Sequence, residues 1–135
     1  MPSSKFTDFG KNKNLYLWQG SCWHLKGMVI FMDKHIRKVY VPMTETGFYI
    51  LLCLREEAHG YSIVQKVKEL TNGEINISPG TMYGSLSKME KDGLIDFIKE
   101  ENNRKIYCIT DLGKQVLELE IKRICRLYQN IMEVR

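Results

Sequence analysis

The stretch that decides the fold runs from residue 78 to residue 93 and reads Ser78-Pro-Gly-Thr-Met-Tyr-Gly-Ser-Leu-Ser-Lys-Met-Glu-Lys-Asp-Gly93. Ser78 is a typical helix N-cap, and Pro79 suits the first helical position because no backbone N–H is needed there. Apolar side chains recur at helical spacing on one face, at Met82, Leu86 and Met89. The stretch therefore predicts an amphipathic helix that begins at Ser78 and is stopped by Asp92-Gly93.

Two strand-like runs follow this helix, at residues 94–100 and 105–109. Ile95 with Phe97, and Tyr107 with Ile109, alternate with side chains of the other face. The intervening residues 101–104 read Glu-Asn-Asn-Arg, and asparagine tolerates the positive φ values of a tight turn. Thr110 can then cap a last helix, which we expect to reach nearly to Arg135.

Two further helices are predicted before residue 78. Thr44 can cap the first, with Glu45 in its first turn, and His59-Gly60 breaks it. The second begins near Tyr61 and ends at Asn72-Gly73. Three helices, a hairpin and a final helix, in this order, are typical of a winged helix-turn-helix with an added C-terminal helix. We therefore predict a mainly α fold with a small β-hairpin.

The composition is that of a globular domain, since 44% of the 135 residues are hydrophobic and 27% are charged. The longest apolar run covers residues 48–54, far short of the ~20 residues that cross a bilayer. Four separated cysteines without C-x-x-C spacing favour reduced thiols over a disulfide framework or a zinc site. We expect no secretory leader, no membrane partner, no metal and no cofactor, and a cytoplasmic location.

The net charge of +4 is unevenly distributed. Residues 1–43 contain seven basic and two acidic residues, a balance of +5, whereas residues 44–135 contain thirteen basic and fourteen acidic residues, a balance of −1. If the patterned part of the chain binds DNA, it must use a local basic patch, because its overall field does not attract a polyanion.

Residues 1–42 lack a sustained helical or strand period, and we interpret them as an N-terminal extension. Three interpretations of this segment stay open: a flexible tail, an ordered arm, or a mis-assigned start codon. In the last case translation would begin at Met32, just before the patterned region.

Five strings resemble the PadR family of bacterial transcriptional regulators. They occur in the family's order: Met43-Thr-Glu-Thr-Gly-Phe-Tyr-Ile-Leu-Leu-Cys-Leu54, His59-Gly-Tyr-Ser-Ile63, residues 78–86, Met89-Glu-Lys-Asp-Gly-Leu-Ile95 and Tyr107-Cys-Ile-Thr-Asp-Leu-Gly113. Each string alone is weak, but the ordered set is specific. The single terminal helix is similar to that of the short subfamily. The resemblance implies a winged helix-turn-helix DNA-binding domain at 43–109 and a C-terminal dimerisation helix at 110–135.

The resemblance also implies a function: a repressor that binds a palindromic operator in double-stranded DNA as a homodimer. The helix that begins at Ser78 would present its small and polar side chains to the major groove, with Thr81, Tyr83 and Lys88 as main contacts and Ser85 as a further one. Alternatively, Tyr83 packs on the preceding helix.

Two other positions complete the expected DNA contacts. Arg104 and Lys105, beside the hairpin turn, could reach a minor groove or flanking phosphates. Alternatively, they form a solvated turn and pair with Glu100 and Glu101. Tyr61 resembles a family position near the DNA backbone, although packing at a helix start is a simpler role for it.

An apolar seam on the last helix predicts dimerisation, because Leu117, Ile121, Ile124, Tyr128 and Ile131 recur at steps of four and three. The resemblance implies that Phe48 and Leu52, on the helix that Thr44 caps, meet this seam across the dimer. Short members of the family hold effectors there, which implies a small apolar or aromatic effector. Alternatively, these side chains are only interface core.

An enzyme is not predicted. His24, His35 and His59 lie in different segments, and no phosphate-binding glycine loop or metal-ligand set accompanies them. The competing hypothesis is a winged-helix module that binds other proteins and has little affinity for DNA, which the −1 balance of residues 44–135 favours.

Overall fold

The computed structural model describes residues 33–135. Residues 1–32 of the N-terminal extension lie outside the described residues, and so does the question whether they form a tail, an arm or a mis-assigned start. The described chain contains five helices and three strands. In order they are α1 (Lys34–Tyr40), α2 (Glu45–Cys53), β1 (Ala58–His59), α3 (Gly60–Leu70), α4 (Pro79–Lys91), β2 (Ile95–Glu101), β3 (Arg104–Ile109) and α5 (Asp111–Val134). The predicted fold class, a mainly α winged helix-turn-helix with a long C-terminal helix, is confirmed.

Side-chain caps start the helices where the sequence predicts them. The hydroxyls of Thr44, Ser78 and Thr110 each accept a hydrogen bond from the backbone N–H three residues further on, at 3.1–3.2 Å. Each bond satisfies an N–H that has no partner inside the helix. Gly93 stops α4 with a φ of +81°, a conformation that favours glycine because it has no Cβ.

The sheet is antiparallel and has the order β1-β3-β2, so a third short strand joins the predicted hairpin. Ala58 pairs with Tyr107 and His59 with Ile106. The hairpin turn takes positive φ at both asparagines, 50° at Asn102 and 60° at Asn103, as the sequence predicts. We call β2, this turn and β3 the wing.

Two features of the fold were not predicted. Helix α2 ends at Cys53 rather than at His59-Gly60, because residues 58–59 extend to pair with β3 instead. Helix α1 lies within the segment that we interpreted as an extension, and it buries Ile36 and Tyr40. Phe97 pairs in register with Tyr107, before the register shift between Phe97 and Lys99, and its side chain is 48% exposed.

The described residues up to Glu120 belong to one compact unit, and residues 121–135 belong to another. The core of the first unit contains side chains from every helix that precedes α5 and from the start of α5. Its fully buried members include Ile50, Leu51, Leu54, Ile63, Met82, Leu86, Leu94, Val116 and Leu117. Together they hold α4 and the wing in fixed positions relative to α2 and α3.

The start of α5 packs directly against the segment that enters β2. A Cβ built on Gly113 would overlap the carbonyl oxygen of Leu94, so only glycine fits there. Thr110 adds two hydrogen bonds at the same junction, from its N–H to the Leu94 carbonyl (3.0 Å) and from its hydroxyl to the Gly93 carbonyl (2.6 Å). The wing is therefore anchored at its base.

Cys53, Cys108 and Cys125 are free thiols. None of the helices in the described range has both the length and the apolar character that spanning a membrane requires.

Candidate nucleic-acid interface

The solvent-facing side of helix α4 carries small and polar side chains. Its apolar face is buried as predicted, at Met82, Leu86 and Met89. On the outer face, Cβ atoms built on Gly80 and Gly84 would meet nothing within 4 Å, so the fold itself does not require glycine at either position. A glycine inside a helix costs about 0.8–1.0 kcal/mol relative to alanine. The face therefore offers close access to the backbone of α4, which is what a helix needs in order to enter a DNA groove.

Tyr83 and Tyr61 stand on one flank of this face, 60% and 56% exposed. Neither ring is buried in the core, so both leave surface for a contact with DNA, and Tyr83 also packs against the start of α3, where a Cβ built on Gly60 would lie 3.3 Å from its ring. Between α4 and the wing they line a groove of about 320 Å³, together with His59 and Arg104. The groove opens beside the face that carries Gly84.

Arg104 is held over this groove by its neighbours. Its guanidinium carbon lies 5.0 Å from the centre of the Tyr61 ring, a cation–π distance, and its Nη1 lies 3.5 Å from His59 Nε2. The His59 ring in turn stacks on Tyr61, with the ring centres 6.4 Å apart, and its Nδ1 accepts a hydrogen bond from the N–H of Ser62. A cation at a hairpin end is thereby pre-oriented instead of sampling many rotamers.

The described ion pairs of the wing involve Lys99 and not the two cations beside the turn. Glu101 lies 3.3 Å from Lys99, and Glu57 lies 3.9 Å from the same amine. Over residues 33–135, neither Arg104 nor Lys105 has a carboxylate oxygen within 4.0 Å. The alternative interpretation, a turn neutralised by Glu100 and Glu101, is therefore not supported by the described contacts.

Lys88 and Ser85 lie on the other flank of α4. The Lys88 side chain is 57% exposed, and its amine contacts Asp92 Oδ2 at 3.2 Å and lies 5.1 Å from the centre of the Tyr40 ring. Ser85 is half-buried and lines a second groove, of about 230 Å³, between α1 and α4. Lys88 is thus available to a phosphate only after it leaves a surface ion pair, which costs little.

Asp92 contacts both Lys88 and Tyr40 on this flank. The Tyr40 hydroxyl donates a hydrogen bond of 2.6 Å to Asp92 Oδ2. This bond and the bond from Lys88 stabilise the carboxylate and hold the pKa of Asp92 below its ordinary value. Burial, with the neighbouring carboxylate, raises the pKa of the Tyr40 phenol, so it remains a donor.

The residues predicted for the dimer interface have different environments. Leu117 is 0% exposed within the chain itself and offers no surface to a partner. Phe48, Leu52, Ile121 and Tyr128 are half-buried. In the 121–135 unit, exposed apolar side chains follow one another at steps of three, four and three: Ile124, Leu127, Ile131 and Val134. Leu127 and Val134 were not predicted from the sequence.

The structure therefore groups the predicted DNA contacts around one helix. Thr81 and Tyr83 are exposed on α4, Arg104 and Tyr61 stand on its wing flank, and Lys88 stands on the other. Tyr40, Asp92 and His59, which position these groups, were not predicted to do so, because their partners are 45–52 residues away in sequence. Over the described residues, no group of three or more His, Cys, Asp or Glu side chains is arranged to hold a metal ion.

A helix-turn-helix with an exposed second helix, followed by a wing with an oriented arginine, defines the class of winged-helix proteins. The model of the transcriptional regulator PadR-like family matches residues 50–119, about half of the chain. The chain belongs to this family of transcriptional regulators.

Several known proteins are similar to the chain. Transcriptional regulator YqjI of Escherichia coli is 34% identical over 64 residues, which are 47% of this chain and 31% of that protein. A PadR family transcription regulator from Clostridium difficile is 29% identical, with a TM-score of 0.55 over 67% of this chain and 96% of that one. A PadR-like transcription factor from Bacteroides fragilis is 26% identical, with a TM-score of 0.56 over 66% of this chain and 88% of that one. The chain thus spans about a third of the E. coli regulator.

Proposed function

We propose that the protein is a DNA-binding transcriptional repressor that recognises a palindromic operator as a homodimer in the cytoplasm. One observation carries the proposal: the open face of α4, with Gly80, Thr81 and Gly84, lies beside an oriented and unneutralised wing cation, Arg104. Family membership supports the same function.

Helix α4 and the wing would make different kinds of contact with DNA, because their side chains differ in size and charge. The small residues of α4 allow its backbone to approach base edges, where Thr81 and Tyr83 can make sequence-dependent contacts. Arg104, with Lys105 beside it, supplies charge-assisted hydrogen bonds to phosphates, which position the protein without reading sequence. Tyr61 holds the guanidinium of Arg104, so its contribution to DNA binding is indirect as well as direct.

The homodimer is supported by the apolar side chains on the last turns of α5. Burying an exposed side chain such as Ile131 against a second copy would stabilise the pair by roughly 1.5–3 kcal/mol, before the cost of association. A twofold dimer would present two α4 helices to successive major grooves, about 34–36 Å apart. A small apolar or aromatic effector that binds between the subunits would release the operator by changing this spacing.

Selection of binding sites from random duplexes, followed by footprinting on the DNA upstream of the protein's own gene, tests the proposal. A selected duplex should compete effectively against random DNA, and the footprint should be symmetric. The affinity should fall steeply with salt, with a log–log slope of about −0.9 for each phosphate contacted.

A double substitution of the wing cations, Arg104→Ala with Lys105→Ala, provides the residue-level test. It should weaken binding and reduce the salt slope by up to about 1.8, since two phosphates are then no longer neutralised by the protein. Lys66→Ala with Lys68→Ala removes the same charge from the exposed surface of α3 and serves as the matched control. Equal effects of the two pairs would contradict the role of the wing.

The alternative, a winged-helix module for protein partners, is favoured by the −1 balance of residues 44–135 and by the exposed Phe97 and Ile98 on the edge strand β2. Under that alternative, selection would enrich no sequence, and binding to any duplex at low salt would be weak and insensitive to the wing substitutions.

A further inference from the structure

Helix α1 is a short basic helix that packs beside α4. Asp33 caps it by accepting a hydrogen bond of 3.0 Å from the N–H of His35. Ile36 and Tyr40, four residues apart, are its buried side chains. The remaining positions on its exposed surface include Lys34, His35, Arg37 and Lys38.

Tyr40 fixes this helix to the end of α4. The hydrogen bond from its hydroxyl to Asp92 joins two residues 52 positions apart, and Lys88 lies over its ring. Val39 and Tyr40 also line the groove beside Ser85 and Lys88, so α1 lies along this flank of α4.

The wing and α1 stand on opposite flanks of α4. Tyr83 and Ser87 line the groove toward the wing, whereas Ser85 and Lys88 line the groove toward α1. On a helical wheel these two pairs lie on either side of Gly84. A duplex that runs across the open face of α4 and over the wing would therefore meet α1 on the other side.

The distribution of charge also favours DNA as the partner of α1. Residues 44–120 contain nine basic and thirteen acidic residues, a balance of −4 that repels a polyanion. Residues 33–43 contain three basic residues and one acidic residue, a balance of +2. In the described part of the chain, no carboxylate oxygen lies within 4.0 Å of the charged groups of Lys34, Arg37 or Lys38.

We infer that α1 is a third DNA-contacting element, in which Lys34, Arg37 and Lys38 bind backbone phosphates on the flank of α4 opposite the wing. The inference rests on the proposed function, because it extends the same interface. These contacts add affinity without adding sequence information, since a lysine or arginine on a phosphate reads no base. The helix spans only about 10 Å, which suits contact with one or two successive phosphates.

A triple substitution tests the inference: Lys34→Ala, Arg37→Ala and Lys38→Ala in the full chain. The probe is a fluorescein-labelled duplex that carries a selected operator, with a random duplex of equal length beside it. The salt slope should become shallower by about 0.9 for each phosphate that α1 no longer binds, and affinity for both duplexes should fall by a similar factor. The matched control keeps the charges and exchanges the side chains, with Lys34→Arg, Arg37→Lys and Lys38→Arg, and should retain most of the binding.

The outcomes separate this inference from the proposed function. If the wild-type protein binds no duplex, the proposed function is wrong, and the inference about α1 is overturned with it. If the wild-type binds and the wing substitutions weaken it, while the triple alanine variant keeps wild-type affinity and slope, only the role of α1 is overturned. Arg37 and Lys38 also lie in the last turn of α1, where cations stabilise a helix end. A purely structural role would lower the melting temperature and leave the salt slope unchanged, which would likewise overturn the inference.

Discussion

Replacement of Gly84 by alanine should raise the stability of the fold and lower the affinity for the operator, so the two effects can be measured separately. Gly84 is in the interior of the helix, on the outer face, and a Cβ at this position meets no atom within 4 Å. In the free protein the added methyl group is therefore harmless. Because alanine restricts the unfolded chain and favours the helix, Gly84→Ala should stabilise the fold by about 0.8–1.0 kcal/mol.

The same substitution should weaken operator binding. If the backbone of α4 approaches base edges at Gly84, the methyl group occupies space that the DNA fills. Overpacking of one such group costs about 1–3 kcal/mol, which corresponds to a loss of affinity of about 5-fold to 150-fold. The effect should be larger on the selected operator than on random DNA, because nonspecific binding depends mainly on phosphates.

Urea denaturation followed by circular dichroism measures the first effect, and fluorescence anisotropy with both duplexes measures the second. A variant that is more stable and binds the operator less tightly supports the assignment of this face. Unchanged operator affinity in a stabilised variant would refute it, because DNA would then not approach Gly84.

The remaining predictions concern the residues that anchor the candidate site and the proposed homodimer. Gly113→Ala should destabilise the fold, despite the better helix propensity of alanine, because its Cβ would overlap the Leu94 carbonyl; we expect a cost of about 1–3 kcal/mol in urea denaturation, and a stability equal to the wild type would show that the junction is loose. Ile131→Asp should leave each chain folded, since the side chain is 60% exposed, but should halve the mass in sedimentation; a variant that still sediments as a dimer would place the interface elsewhere. Tyr40→Phe keeps the ring and removes the hydrogen bond to Asp92, so proteolysis should release α1 more readily while the melting of the rest changes little. The pKa of Asp92 is lowered by folding, so its contribution to stability is complete above about pH 4 and is lost as the pH falls further; Asp92→Asn should therefore flatten the acid side of the stability profile measured by urea titration at several pH values, and an unchanged profile would contradict the ion-pair geometry.

Only part of the candidate interface could be predicted from the sequence. Small residues on α4 and cations beside the wing turn are visible as patterns, because their spacing follows the period of one helix or one hairpin. The role of Tyr61 as a support for Arg104 is not visible, since the two residues are 43 positions apart and meet only when β1 and β3 pair. Leu117 was assigned to the dimer seam because its spacing continues that of Ile121 and Ile124, yet it is buried in the core of its own chain. Periodicity identifies an apolar face but not what covers it.

Local chemistry in the sequence alone determined the order of the elements. A hydroxyl at Thr44, Ser78 or Thr110 can cap a helix whatever lies around it, and two asparagines can form the wing turn by themselves. The tertiary structure decided the features that depend on long-range packing: the short strand β1, the attachment of α1 through Tyr40 and Asp92, and the close contact at Gly113. The physical reason is that caps and turns are bonds between near neighbours in sequence, whereas burial and strand pairing depend on surfaces that exist only in the folded chain.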